Sequence, residues 1–197
     1  MRVLLVDDHP LYLEGLRGLL ASRGLHVVGQ ARDGLEALEQ ARSLRPDLIL
    51  MDVQMPRCDG VEATRRIKAE LPEAKIVMLT VAAEGDILFE ALKSGASGYL
   101  LKSLDGAQFF SLLADVMRGE TVLSPALANQ VLAEFARKPD DETVDTAPLT
   151  PRQHEVLELV AQGPTNQEIA RALYVSEATV KYHVSQILER LHLQSRY

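Results

Sequence analysis

Val3-Leu4-Leu5-Val6-Asp7-Asp8-His9-Pro10 passes from an unbroken apolar run to two adjacent acids, and then to a proline that can open a helix. A short apolar run closed by polar residues reads as a strand buried on both faces. Three more runs have this form: Leu48 to Met51 closed by Asp52, Ile76 to Leu79 closed by Thr80, and Tyr99 to Leu101 closed by Lys102. Amphipathic helical sequence lies between them, so the pattern predicts an α/β domain with a doubly wound parallel sheet. The C-terminal ends of such strands share one edge, where ligands bind. Asp7, Asp8, Asp52, Thr80 and Lys102 are therefore expected to converge on one pocket.

Three close carboxylates repel one another unless a cation intervenes. An all-oxygen donor set at a water-accessible edge suits a hard divalent ion, Mg²⁺ in particular, which tolerates carboxylates together with waters and a phosphoryl oxygen. A cation, the Lys102 ammonium and the Thr80 hydroxyl would surround a transferring phosphoryl group while a carboxylate attacks in line. Asp52 is the expected nucleophile, because the turn Val53-Gln54-Met55-Pro56 leaves it at the sheet edge. His9 reads as a helix-start residue without chemistry.

Val6-Asp7-Asp8-His9-Pro10, Met51-Asp52-Val53-Gln54-Met55-Pro56 with Asp59-Gly60, Leu79-Thr80, Gly95-Ala96 with Gly98-Tyr99, and Leu101-Lys102 together resemble the receiver domain of a two-component response regulator. The resemblance covers residues 1 to about 120 and implies a flavodoxin-like, five-stranded fold. It implies Asp8 and Asp52 as direct Mg²⁺ ligands, Asp7 as a water-mediated ligand and the Gln54 carbonyl as a backbone ligand. It also implies Asp52 as phosphoacceptor, Thr80 and Lys102 as phosphate contacts, and Tyr99 as a switch aromatic that turns inward when Thr80 moves.

The chain has 197 residues, 47% hydrophobic and 25% charged, which accommodates two modest globular domains. A single cysteine, Cys58, excludes an internal disulfide and suits a reducing compartment; neither a signal-peptide core nor a membrane-length apolar stretch is present, so a cytoplasmic protein is expected. The net charge of −7 argues against wholesale polyanion binding, but only five of the 21 cations and five of the 28 acids lie from Leu149 onward. The acidity belongs to the first 148 residues, and a neutral C-terminal part can still present a local basic face.

Helical periodicity runs through Ala107 to Arg118 and again from Pro125 to Arg137, where Leu127, Val131, Leu132 and Phe135 form a stripe. Lys138 to Pro148 is polar, acidic and bounded by prolines, the composition of an extensible linker. Residues 121–148 thus read as a linker helix and acidic linker, and 149–197 as a second domain. Thr150-Pro151-Arg152-Gln153 and Thr165-Asn166-Gln167-Glu168 have the form of capping boxes, Gly163-Pro164 closes the first helix, and Ser176 opens a third after a short turn. That is a helix-turn-helix. On the third helix Val180, Val184, Ile187, Leu188 and Leu191 form the packing stripe, while Ala178, Lys181, Tyr182, Ser185, Gln186 and Glu189 form a polar face suited to the major groove.

Leu149 to Leu157, Asn166 to Ala170 and Val175 to Val184 resemble a LuxR-type helix-turn-helix of NarL/FixJ-type regulators. The resemblance implies base contacts from Lys181, Tyr182 and Ser185, and phosphate contacts from Thr165, Asn166 and Arg190. Two departures stand out: Ala178 occupies a position often held by Lys, and the sequence ends at Tyr197 where the family usually has a fourth helix that pairs two subunits on DNA, so the last helix is expected to be lacking. The chain is therefore expected to be a DNA-binding transcriptional response regulator and not an enzyme. Its Asp52 would receive a phosphoryl group from a sensor histidine kinase, and phosphorylation would favour a homodimer on promoter DNA. A dehalogenase-like phosphohydrolase would need a carboxylate two residues after the nucleophile, where Gln54 stands. The remaining alternative is a phospho-switched adaptor whose C-terminal domain binds protein.

Overall fold

The computed structural model describes residues 1–81, 90, 94–119, 122–136 and 149–193. The expected helix from Glu84 to Ser94 and the linker from Lys138 to Pro148 fall wholly or largely outside those residues. So do the side chains of Phe135, Leu188, Arg190 and Leu191.

The apolar runs form the parallel strands β1 (Arg2–Val6), β3 (Leu48–Asp52), β4 (Lys75–Thr80) and β5 (Gly98–Leu101), with β2 (His26–Ala31) at one edge. Helices α1 (Pro10–Ala21), α2 (Gly34–Leu44), α3 (Gly60–Glu70) and α4 (Gly106–Met117) cover the faces. Alternation along each strand divides the core. Val3, Leu5, Leu48, Leu50, Val77, Leu79 and Leu100 pack under α1 and α4, whereas Leu4, Val6, Ile49, Met51, Ile76, Met78 and Tyr99 face α2 and α3. Both faces are buried, which is why these strands read as continuous apolar runs. Asp33, Asp59 and Asp105 cap α2, α3 and α4 through backbone N–H groups.

The sheet has six strands, not five, in the order β2-β1-β3-β4-β5-β6. The additional strand, β6 (Val122–Leu123), pairs parallel to β5 with Gly98 opposite Val122 and Tyr99 opposite Leu123. Two residues are too few to show a period, so nothing in the local sequence distinguished them from linker. β6 leads into α5 (Pro125–Ala136), whose Leu127, Ala128 and Val131 are buried in one core with Val156, Leu157 and Val160 of α6 (Pro151–Gln162). Asn129 Nδ2 donates to the Ala161 carbonyl at 3.1 Å across the same seam.

Two further helices complete the C-terminal part: α7 (Asn166–Ala172) and α8 (Glu177–Leu193). Both expected capping boxes form, Thr150 with Gln153 and Thr165 with Glu168, and Gly163 closes α6 at φ 97°. Ser176 caps α8 by accepting from Thr179 N at 3.1 Å. Ile169, Val180, Val184 and Ile187 close the core.

Candidate functional site

Strand register sets the first site. Val6 lies opposite Met51 and Asp52 opposite Leu79, so Asp7, Asp52 and Thr80 emerge at neighbouring heights of the sheet edge. Thr80 lies opposite Leu101, and the Lys102 N–H donates to the Thr80 carbonyl at 2.8 Å, which brings Lys102 to the same edge. Its ammonium lies 2.6 Å from Asp7 Oδ2 and 2.9 Å from Asp52 Oδ2. Asp7 is 2% and Asp52 4% exposed, so Lys102 clamps two carboxylates that would otherwise be buried like charges. α3 can approach Asp52 only because residue 60 is glycine: a Cβ there would overlap the Asp52 carbonyl.

The acidic residues also fit a cation. Ligand atoms from Asp7, Asp8, His9 and Asp52 all lie within 4.8 Å of one another. Asp8 Oδ1 is buried and accepts no well-aligned hydrogen bond among the described residues, although His9 Nδ1 stands 2.8 Å from it. Three carboxylates are the donor set of a hard divalent ion, so the residues present suit Mg²⁺.

His9 is the N-cap of α1, the helix-start position the sequence reading gave it, and its Nδ1 also stands 2.8 Å from Asp8 Oδ1 and 3.3 Å from Asp7 Oδ1. Tyr12 was missed altogether. The Lys102 ammonium lies 4.7 Å from its ring centroid, and burial followed by the charges of Asp7 and Asp52 pushes its hydroxyl up to about 12. The available signal was spacing: Tyr12 is one helical turn beyond Asp8.

Burial raises the Asp52 carboxyl above its ordinary value. The Lys102 hydrogen bond and charge oppose that shift, Asp7 adds to it, and the backbone of Gln54 hydrogen-bonds the carboxylate. Gln54 itself is exposed. Tyr99 is 1% exposed, facing inward, with its hydroxyl bonded to the Ser94 side chain and the Ala96 backbone. Burial raises its ionisation sharply.

The second site is α8. Tyr182 and Ala178 are exposed and Ser185 is half-buried, as a reading face requires. Lys181 departs from expectation: its side chain is only 16% exposed, and Nζ lies 2.7 Å from Glu177 Oε1. Glu177 precedes Lys181 by four residues on one helix, the spacing and order that favour such a pair, and the Arg118 charge also reaches Glu177. Thr165 spends its hydroxyl on Glu168, donating to Oε2 at 2.8 Å, while Asn166 is half-buried at the start of α7. Arg190 lies in the helix, its side chain outside the described residues.

Residues 3–114 match the response regulator receiver domain family, and residues 147–197 match the luxR family of bacterial regulatory proteins. The chain is 41% identical to the uncharacterized transcriptional regulatory protein YxjL of Bacillus subtilis, over all of this chain and 91% of that protein. It is 38% identical to the nitrate/nitrite response regulator NarL of Escherichia coli K12, covering 98% of this chain and 90% of NarL. A two-component response regulator of the LuxR family from Aurantimonas sp. SI85-9A1 superimposes with a TM-score of 0.65 at 36% identity, covering 69% of this chain and 98% of that one. These matches oppose the adaptor alternative, because the C-terminal part falls in a family of regulatory proteins and the relatives are transcriptional regulators.

Proposed function

The chain belongs to the two-component response regulators that join a receiver domain to a LuxR-type DNA-binding domain, and from that premise we propose that Asp52 is its phosphoacceptor. The protein is a DNA-binding transcriptional regulator switched by phosphorylation. The observation that carries the assignment of Asp52 is the Lys102 ammonium lying between the Asp7 and Asp52 carboxylates.

Asp52 is the nucleophile in this reading. Above its raised pKa it is anionic, and one carboxylate oxygen attacks the phosphorus of a kinase phosphohistidine. The new O–P bond forms as the N–P bond breaks, and the leaving imidazole takes a proton from solvent. Bound Mg²⁺, held by Asp8, Asp52, the Gln54 carbonyl and, through water, Asp7, would offset charge on the phosphoryl oxygens. Lys102 already faces Asp52 and contacts a second phosphoryl oxygen, and Thr80 donates its hydroxyl to a third. Tyr99 is the switch aromatic of this reading, and the inward place it already holds here is the one expected to accompany the move of Thr80 toward the phosphoryl group.

The output is DNA binding by α8. Lys181, Tyr182 and Ser185 contact bases, while Thr165, Asn166 and Arg190 contact phosphates. Phosphorylation frees Lys181 from its pair with Glu177 and favours a homodimer. The receiver occupies residues 1 to about 120 and the DNA-binding part 149–197, working in the cytoplasm with a sensor histidine kinase. Turnover of a substrate forms no part of this role.

Incubation with acetyl phosphate and Mg²⁺ followed by intact mass tests the central step. One phosphate adduct is expected on the wild type and none on Asp52→Ala. An adduct that persists in Asp52→Ala would overturn the assignment.

A further inference from the structure

Arg57, in the loop after Asp52, takes φ 65°, a left-handed conformation that disfavours any residue with a Cβ. Its side chain is 68% exposed, yet the guanidinium reaches back to Oδ2 of Asp33, which is fully buried at the start of α2. Asp33 Oδ1 accepts from Leu35 N at 2.9 Å and Glu36 N at 3.0 Å. Oδ2 makes no hydrogen bond among the described residues, so the Arg57 charge is what compensates it there.

A second tie runs alongside: the Gly34 N–H donates to the Cys58 carbonyl at 2.9 Å. Gly34 has room for no side chain, because a Cβ would run into Cys58 and Ala63. The loop's other end is anchored by Val53 N to the Leu79 carbonyl at 3.0 Å and Gly60 N to the Val53 carbonyl at 2.9 Å. Gln54 lies between these anchors, its backbone hydrogen-bonded to the Asp52 carboxylate.

We propose that Arg57 is a positioning residue for the cation site: by clamping the loop to the cap of α2 through Asp33, it fixes the backbone at Gln54 and so sets divalent-cation affinity. The inference rests on the reading of Asp7, Asp8, Asp52 and the Gln54 carbonyl as the Mg²⁺ site. Stability alone does not account for Arg57. The ion pair offsets the burial of one Asp33 oxygen, but the left-handed backbone at Arg57 opposes that gain, and glycine at this φ would remove the strain. Strain retained beside a reacting residue points to a role in its geometry.

Isothermal titration of Mg²⁺ into the full chain, paired with melting temperatures without divalent ions, tests this on wild type, Arg57→Gly, Arg57→Lys, Asp33→Asn and Asp8→Asn. Arg57→Gly and Asp33→Asn are each expected to weaken Mg²⁺ binding about tenfold, the scale on which residues that orient ligands act. Arg57→Gly should melt close to the wild-type temperature, because relief of the left-handed strain offsets the lost partner of Asp33, so the fall in affinity has no matching fall in stability. Arg57→Lys should recover part of the affinity. Wild-type affinity in Arg57→Gly, or affinity that merely follows melting temperature across the set, overturns the inference. If Asp8→Asn abolishes binding while the Arg57 variants bind normally, this inference fails and the pocket reading stands. No Mg²⁺ binding by the wild type removes both.

Discussion

At the sheet edge Asp7, Asp52 and Lys102 are buried and already in contact, whereas along α8 Tyr182 stands at the surface and Lys181 is folded onto Glu177. The first region is assembled by the fold before a phosphoryl group arrives. On the proposed reading, the second becomes a reader only when its cation leaves an internal partner for DNA. Preorganised charge is costly to hold but costs little more at the moment of reaction, and so it suits chemistry on one small group. A groove contact has the opposite economy, since α8 must exchange hydration and internal bonds for base edges.

The sharpest way to break this comparison is Lys102→Met. It should slow phosphorylation about a hundredfold or more, as loss of one preorganised charge at a reacting group does. It also leaves Asp7 and Asp52 facing each other without a cation, so the melting temperature should fall, and Mg²⁺ should raise it more in the variant than in the wild type. Equal phosphorylation rates with saturating acetyl phosphate would show that the pocket is not preorganised around Lys102.

Asp52→Asn probes the cost of the same arrangement. A carboxyl whose folded pKa is raised favours the fold below its unfolded pKa, and that contribution is lost as pH rises through the folded value. At pH 7 Asp52→Asn should therefore melt higher than the wild type, by about 3 °C if roughly 1 kcal/mol is recovered in a chain of this size. The advantage should shrink as pH is lowered into the acid range, where wild-type Asp52 is protonated. A lower melting temperature for the variant at pH 7 would mean that Lys102 more than offsets the burial of Asp52.

On α8 the expected effects are smaller. Lys181→Ala should lose about 1 to 3 kcal/mol of discrimination between operator and scrambled DNA, measured by titration at fixed salt. Glu177→Gln should act in the other direction and tighten specific binding about threefold, because it releases an ammonium from a partly exposed pair. No change in either variant would place the base contacts elsewhere on the helix.

The smallest effect is spectroscopic. Phenolate absorbance should show one tyrosine, Tyr12, ionising near 12, and Asp7→Asn should lower that midpoint by removing a nearby negative charge.

The pocket was legible because its chemistry is indexed to strand ends. Each of Asp7, Asp52, Thr80 and Lys102 follows an apolar run, and parallel register brings such positions to one edge. The capping boxes at Thr150 and Thr165 were legible for a similar reason, since both partners lie within one turn. Features that depend on tertiary neighbours were not. β6 exists only through its pairing with Gly98 and Tyr99. Arg57 hid for another reason: the residue type gives no sign of a left-handed backbone.

The seam between α5 and α6 bears on how such a protein can be divided and recombined. The LuxR match begins at residue 147, yet the first helix inside it shares its core with Leu127, Ala128 and Val131 ahead of it. A graft of the matched segment alone onto another input domain would arrive with an apolar stripe uncovered. A graft that kept this core whole would start at Pro125, just after Ser124, whose N–H is bonded to the carbonyl of Tyr99.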